Sequence, residues 1–105
     1  MSNLLLSPEM IDNLTTIFPE LSLKQIEVVT MFSSGVSVED ISLSRHASIT
    51  STRKLLNRAM EAFDVFSLQA LRVVIQTRLS MFLLQKNVQI SEQVTRIEQH
   101  ITRQN

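Results

Sequence analysis

Two serine-led helix starts, Ser37 and Ser48, stand on either side of a polar corner, Arg45-His46-Ala47. That arrangement constrains the fold more than any other stretch of the chain. Just before it lies Gly35, the only glycine in the protein. Glycine adopts left-handed backbone cheaply, so it can close the helix that precedes it. Ser37 opens a short helix over 38–44, with Glu39 and Asp40 in its first turn, where carboxylates meet the positive end of the helix dipole. Val38, Ile41 and Leu43 are the candidates for its inward side. Ser48 opens a second helix over 49–63. Its Thr52, Leu55, Leu56, Ala59 and Phe63 recur every three or four residues and form the inward face.

The flanking segments read as helices too. Ser7-Pro8-Glu9 combines a capping serine, a proline at the first helical position and an acid in the first turn. Met10, Ile11, Leu14, Ile17 and Phe18 then share one face, and Pro19 forces the helix to stop. Residues 1–6 are expected to be a frayed lead-in. Ser22 caps a helix whose stripe is Ile26, Val29 and Phe32, with Val28 and Met31 beside it.

After a corner at Asp64-Val65-Phe66, Ser67 caps a long apolar helix containing Leu68, Leu71, Val73, Val74, Ile75, Leu79, Phe82 and Leu83. Apolar residues on more than one face demand burial on two sides, one by the core and one by a second subunit. In the tail, Ile90, Val94, Ile97 and Ile101 step by 4, 3 and 4, and Leu83 and Asn87 extend the series backwards. This is a short heptad seam, and an asparagine within a seam can fix register. The same pattern also fits a helix lying on its own domain, and Lys86-Asn87 also fits a break between two helices.

The fold expected is therefore all-α: a helix-turn-helix bundle of four core helices, with an extra N-terminal helix and an extended C-terminal one. The divisions are an N-terminal helix over 1–20, the helix-turn-helix unit over 21–83, and an extension over 84–105 that could dimerise. At 105 residues the chain is one domain by length, and 44% apolar residues suffice for one core. A core this small gains from dimerisation.

There is no cysteine, so no disulfide framework or thiolate metal site is expected. His46 and His100 alone make no metal site, and no metal or cofactor is expected. The first residues lack a basic segment followed by a long apolar one, so they do not resemble a signal peptide, and a cytoplasmic protein with no membrane partner is the expectation. No histidine, cysteine and carboxylate constellation and no glycine-rich phosphate loop suggests an enzyme.

Net charge is zero, but its distribution is uneven. Residues 1–44 carry one lysine against six carboxylates, a net −5; residues 45–105 carry nine cations against four, a net +5. Within 45–58 lie Arg45, Arg53, Lys54 and Arg58 and no acid. A short helix, a corner and a second helix bearing cationic and amide side chains describe a helix-turn-helix DNA reader. With the aliphatic face of 49–63 turned inward, Arg53 or Lys54 can read guanine and Asn57 can read adenine. Arg58, Arg45, His46, Thr50 and Ser51 are the candidates for phosphate contacts. The candidates for dimerisation are Leu71, Val74, Ile75, Leu79, Ile90, Val94, Ile97 and Ile101.

From Leu21 onward the sequence resembles the LuxR/GerE-type DNA-binding domain of transcriptional regulators. Leu21, Glu27, Val28, Gly35, Ser37 and Ile41 match that family's pattern directly, and Asp40 stands where it has an acid. Ser48, Arg53, Phe63 and Val65 continue the agreement without a gap to about Ile75. Arg45, Ala47, Thr52 and Leu55 depart from it, the first two at positions that usually pack the corner with leucine and isoleucine. The resemblance implies a stand-alone regulator that binds double-stranded DNA as a homodimer through the helix after Ser67. A different class also remains open: a helical interaction protein, an antiactivator or co-regulator, that binds another transcriptional regulator without reading DNA.

Overall fold

The structure, a computed structural model, describes residues 7–104, with side chains to 103. The lead-in at 1–6 lies outside them. Five helices follow one another: α1 (Pro8–Ile17), α2 (Leu23–Ser33), α3 (Val38–Arg45), α4 (Ile49–Ala62) and α5 (Leu68–Gln104). The fold is all-α, and no strand occurs among the described residues.

Serines start every helix. Ser7, Ser22, Ser37 and Ser48 each accept a hydrogen bond from the backbone N–H three residues on, and the N–H of Ala70 donates to Ser67 at 3.0 Å. Each bond satisfies one of the donors that a helix start leaves unpaired. At Ser22 the box is complete, because the Gln25 side chain accepts from the Ser22 N–H at 2.7 Å. The ends use left-handed residues: Gly35 at φ 98°, His46 at φ 54° and Asp64 at φ 55°. The Cβ of a substitute at Gly35 would meet no atom within 4 Å, so only backbone strain keeps glycine there.

The centre of the bundle is α2, which touches each of the other four helices. Its Ile26, Val28 and Val29 are fully buried against Ile41 of α3, Leu56 and Ala59 of α4, and Leu71 and Ile75 of α5. Leu43, a candidate inward residue of α3, instead faces solvent at 74% exposure. It is two positions past Ile41, and two residues turn a helix through roughly 200°.

Phe18 fastens α1. It caps that helix, is fully buried, and meets Phe63 edge to face at 6.4 Å. The N-terminal helix is thus part of the same core as α2–α5. Arg78 of α5 closes this corner from outside. Its guanidinium lies over Phe63 at 4.7 Å and donates to the Ile17 carbonyl at 3.0 Å and to the Glu20 carboxylate at 2.7 Å. The hydrogen bond from Arg78 holds the Glu20 carboxyl below its ordinary pKa.

The long last helix runs without a break through Lys86-Asn87 to Gln104, so the extended C-terminal helix stands and the alternative of a break at Lys86-Asn87 does not. Leu71 and Ile75, expected in a dimer interface, are fully buried inside their own subunit, and half-buried Leu79 packs on the same core. They occupy the inward face, which a second chain cannot reach. Beyond Phe82 the helix leaves the bundle, and the molecule reaches 65 Å along its longest axis. Among the described residues, no helix is long and apolar enough to cross a membrane.

Candidate nucleic-acid interface

Helix α4 buries Thr52, Leu56 and Ala59 and exposes the side opposite. Thr50, Arg53, Lys54, Asn57 and Arg58 are all exposed, while Ser51 is half-buried. At 3.6 residues per turn, Thr50, Lys54 and Asn57 run down the middle of the exposed face. Arg53 and Arg58 lie on its two edges, about 140° apart around the axis.

On the Arg58 edge the fold assembles a basic hollow of about 360 Å³. Lys24 from α2, Arg45 from α3, and Lys54 and Arg58 from α4 line it, together with Ser48, Thr50 and Ser51. No carboxylate lines it. Lys24, Lys54 and Arg58 have no ion-pair partner among the described residues. Lys54 and Arg58 are also a like-charge pair at i and i+4, which disfavours a helix by about 0.2–0.5 kcal/mol. The capped start of α4 opens here as well, and it adds backbone N–H groups and the positive end of a helix dipole. Converging cations, hydroxyls and free N–H groups make a basin for an anion.

The structure thus brings Arg45, Thr50, Ser51, Lys54 and Arg58 together. It leaves Asn57, on the central line of α4, and Arg53, on the opposite edge, outside the hollow, and exposed His46 caps α3 in left-handed backbone. Lys24 was not legible as a site residue. It lies more than twenty residues before the motif, and only the packing of α2 on α4 places it there.

The corner between α3 and α4 is held by polar side chains, Arg45 and Thr52 among them. Arg45 donates to the Thr52 hydroxyl at 3.0 Å, and Ser42 donates to the same oxygen at 2.7 Å. Thr52 in turn reaches the Ser48 carbonyl at 3.2 Å. Ser42 and Thr52 are buried and Arg45 is half-buried, so this is a satisfied polar latch. Arg45 accordingly has two tasks: one nitrogen positions α4, and the rest of its fork faces the hollow.

Thr52→Val leaves the buried partners of its hydroxyl short of a bond and is expected to cost about 1–2 kcal/mol. Adding Arg45→Leu to that variant is expected to recover part of the loss, because two apolar groups then meet. Urea denaturation of the two single variants and the double gives the coupling directly. Strict additivity would show that the latch does not hold the corner.

No protein-family model, curated protein or solved structure matches this chain.

Proposed function

We propose that the protein is a DNA-binding transcriptional regulator that acts as a homodimer, with α4 entering the major groove. One observation carries the reading: Lys24, Arg45, Lys54 and Arg58, from three helices, converge beside the start of α4 with no carboxylate among them. Four cations facing one another without counter-charge oppose folding, so an external anion is their natural partner. DNA supplies phosphates on both rims of a groove about 12 Å wide, which accepts a helix. Arg53 on one edge of α4 and the basic hollow on the other are disposed to meet those two rims.

Lys54 and Asn57, on the central line, are the side chains aimed at base edges. Lysine suits guanine O6 and N7, and asparagine suits adenine N6 and N7. Thr50, Ser51 and His46 stand nearer the helix start, where they position the protein on phosphate. The likeness of residues 21–75 to LuxR/GerE-type domains agrees with this assignment.

The test is a titration of duplex DNA against the purified protein at several salt concentrations. Affinity is expected to fall steeply with salt, because bound phosphates release counterions. Arg53→Ala and Lys54→Ala are each expected to weaken specific binding by about 1–3 kcal/mol. Unchanged affinity in both would remove α4 from the groove. The competing reading, a co-regulator that binds another regulator, draws on the exposed apolar length of α5. It predicts stable complexes with a partner protein and no retention on DNA.

A further inference from the structure

The basic hollow beside α4 holds more positive charge than one rim of DNA can neutralise. Lys24, Arg45, Lys54 and Arg58 line it, and no carboxylate does. Lysine and arginine are protonated at neutral pH, so the lining carries four positive charges. Each DNA phosphate brings a single negative charge, and a duplex is too broad to enter a concavity walled by three helices. Only its rim phosphates can touch the mouth. A terminal phosphoryl group carries about −1.5 to −2 at pH 7, so two of them held together approach the charge of the lining.

The walls are prepared for oxygen atoms. Arg45 is positioned before any ligand arrives, because its bond to the Thr52 hydroxyl at 3.0 Å fixes the guanidinium at the corner. Its other N–H groups belong to a planar fork that matches phosphate oxygens in pairs. The Ser48 hydroxyl accepts from the Ser51 N–H at 3.0 Å, which leaves its own proton free to donate. The hydroxyls of Thr50 and Ser51 have no partner among the described residues. Leu55 is the one apolar wall. A volume of about 360 Å³ falls within the range of small-molecule sites, but those are lined mainly by apolar groups. This lining suits a charged headgroup and little else.

We propose that the hollow is a regulatory site for a free small molecule that presents two phosphoryl groups side by side, and that this occupant displaces DNA. The site stands on the converging cations alone. The displacement rests on the DNA reading above, because Lys54 and Arg58 then serve both ligands. Lys54 cannot reach a base edge while it holds a diphosphate in the hollow, and Arg58 cannot meet the rim of the groove. Each ligand therefore weakens the other, and by the same factor.

Calorimetric titration with sodium pyrophosphate, at physiological ionic strength and without DNA or divalent cations, tests the site. One pyrophosphate per chain is expected, bound about tenfold or more tightly than orthophosphate or sulfate. Lys24→Ala is expected to weaken it about tenfold, through the loss of one charge-assisted contact. Its circular dichroism should match wild type, because Lys24 is exposed and unpaired. Arg53→Ala removes an equal charge on the other edge of α4 and is expected to bind pyrophosphate as wild type does. Absence of binding, equal affinity for the three anions, or equal weakening in Lys24→Ala and Arg53→Ala would show a merely cationic surface and overturn the proposal. A second titration adds pyrophosphate to the DNA complex at constant ionic strength. Release of DNA by pyrophosphate and not by sulfate is expected, and a complex that holds both ligands overturns the displacement. A protein that binds pyrophosphate in the hollow yet ignores DNA refutes the DNA reading and leaves the site standing. One that binds DNA but no pyrophosphate does the reverse.

Discussion

Replacing Lys54 and Arg58 together by glutamate is expected to abolish measurable binding to duplex DNA at physiological salt. Each cation contributes about 1–3 kcal/mol when it meets its target. Reversal adds repulsion from phosphate, so the pair should cost roughly 3–6 kcal/mol, or about a hundredfold to ten-thousandfold in affinity. The salt slope should flatten by about two phosphate contacts.

The fold should be untouched. Both side chains are exposed and unpaired, and swapping one like-charge pair for another leaves the helix its small existing penalty. Filter binding of wild type and variant across salt concentrations, with circular dichroism as the control, decides the matter. Affinity within threefold of wild type would mean that the basic hollow faces something other than nucleic acid.

The largest effect on stability is expected from Phe18→Ala. Phe18 is fully buried, it is the residue through which α1 enters the core, and it contacts Phe63 and the Arg78 guanidinium. Deleting a buried phenyl ring costs about 3–5 kcal/mol, from lost transfer energy and from the cavity left behind. Against a typical domain stability of about 5–15 kcal/mol this is a large share. Phe66→Ala supplies the contrast. At 89% exposure that ring has no core to leave, and its loss should change stability by under about 0.5 kcal/mol. Urea unfolding of the two variants side by side measures the difference. Equal, small losses would show that α1 does not belong to the cooperative unit.

Helix positions were readable because their causes are local. Ser7, Ser22, Ser37, Ser48 and Ser67 accept from N–H groups three residues along, and Pro19 and Gly35 act on their immediate neighbours. The inward stripe of α4 followed from periodicity, which is also local. Leu43 shows where that reasoning fails. A hydrophobic residue on a short polar helix has no face assigned by its own sequence, and the neighbours that might have covered it lie elsewhere. Leu71 and Ile75 fail in a related way. A helix apolar all round declares that two sides are covered, but not which side meets the core and which remains outside.

The site was partly legible for the same reason. Arg53, Lys54, Asn57 and Arg58 lie within one helix, and their shared exposure follows from its period. Lys24 comes to the hollow from another helix, and the Arg45–Thr52 contact couples side chains across a corner.

By itself, then, the sequence determined that the chain is helical, where the helices begin, and which residues of α4 point outward, since these depend on capping and on a period of 3.6. The tertiary structure alone decided which face of α5 is spent on the core and that four cations from three helices share one hollow. Those outcomes depend on contacts between residues distant in the chain, which no local pattern encodes.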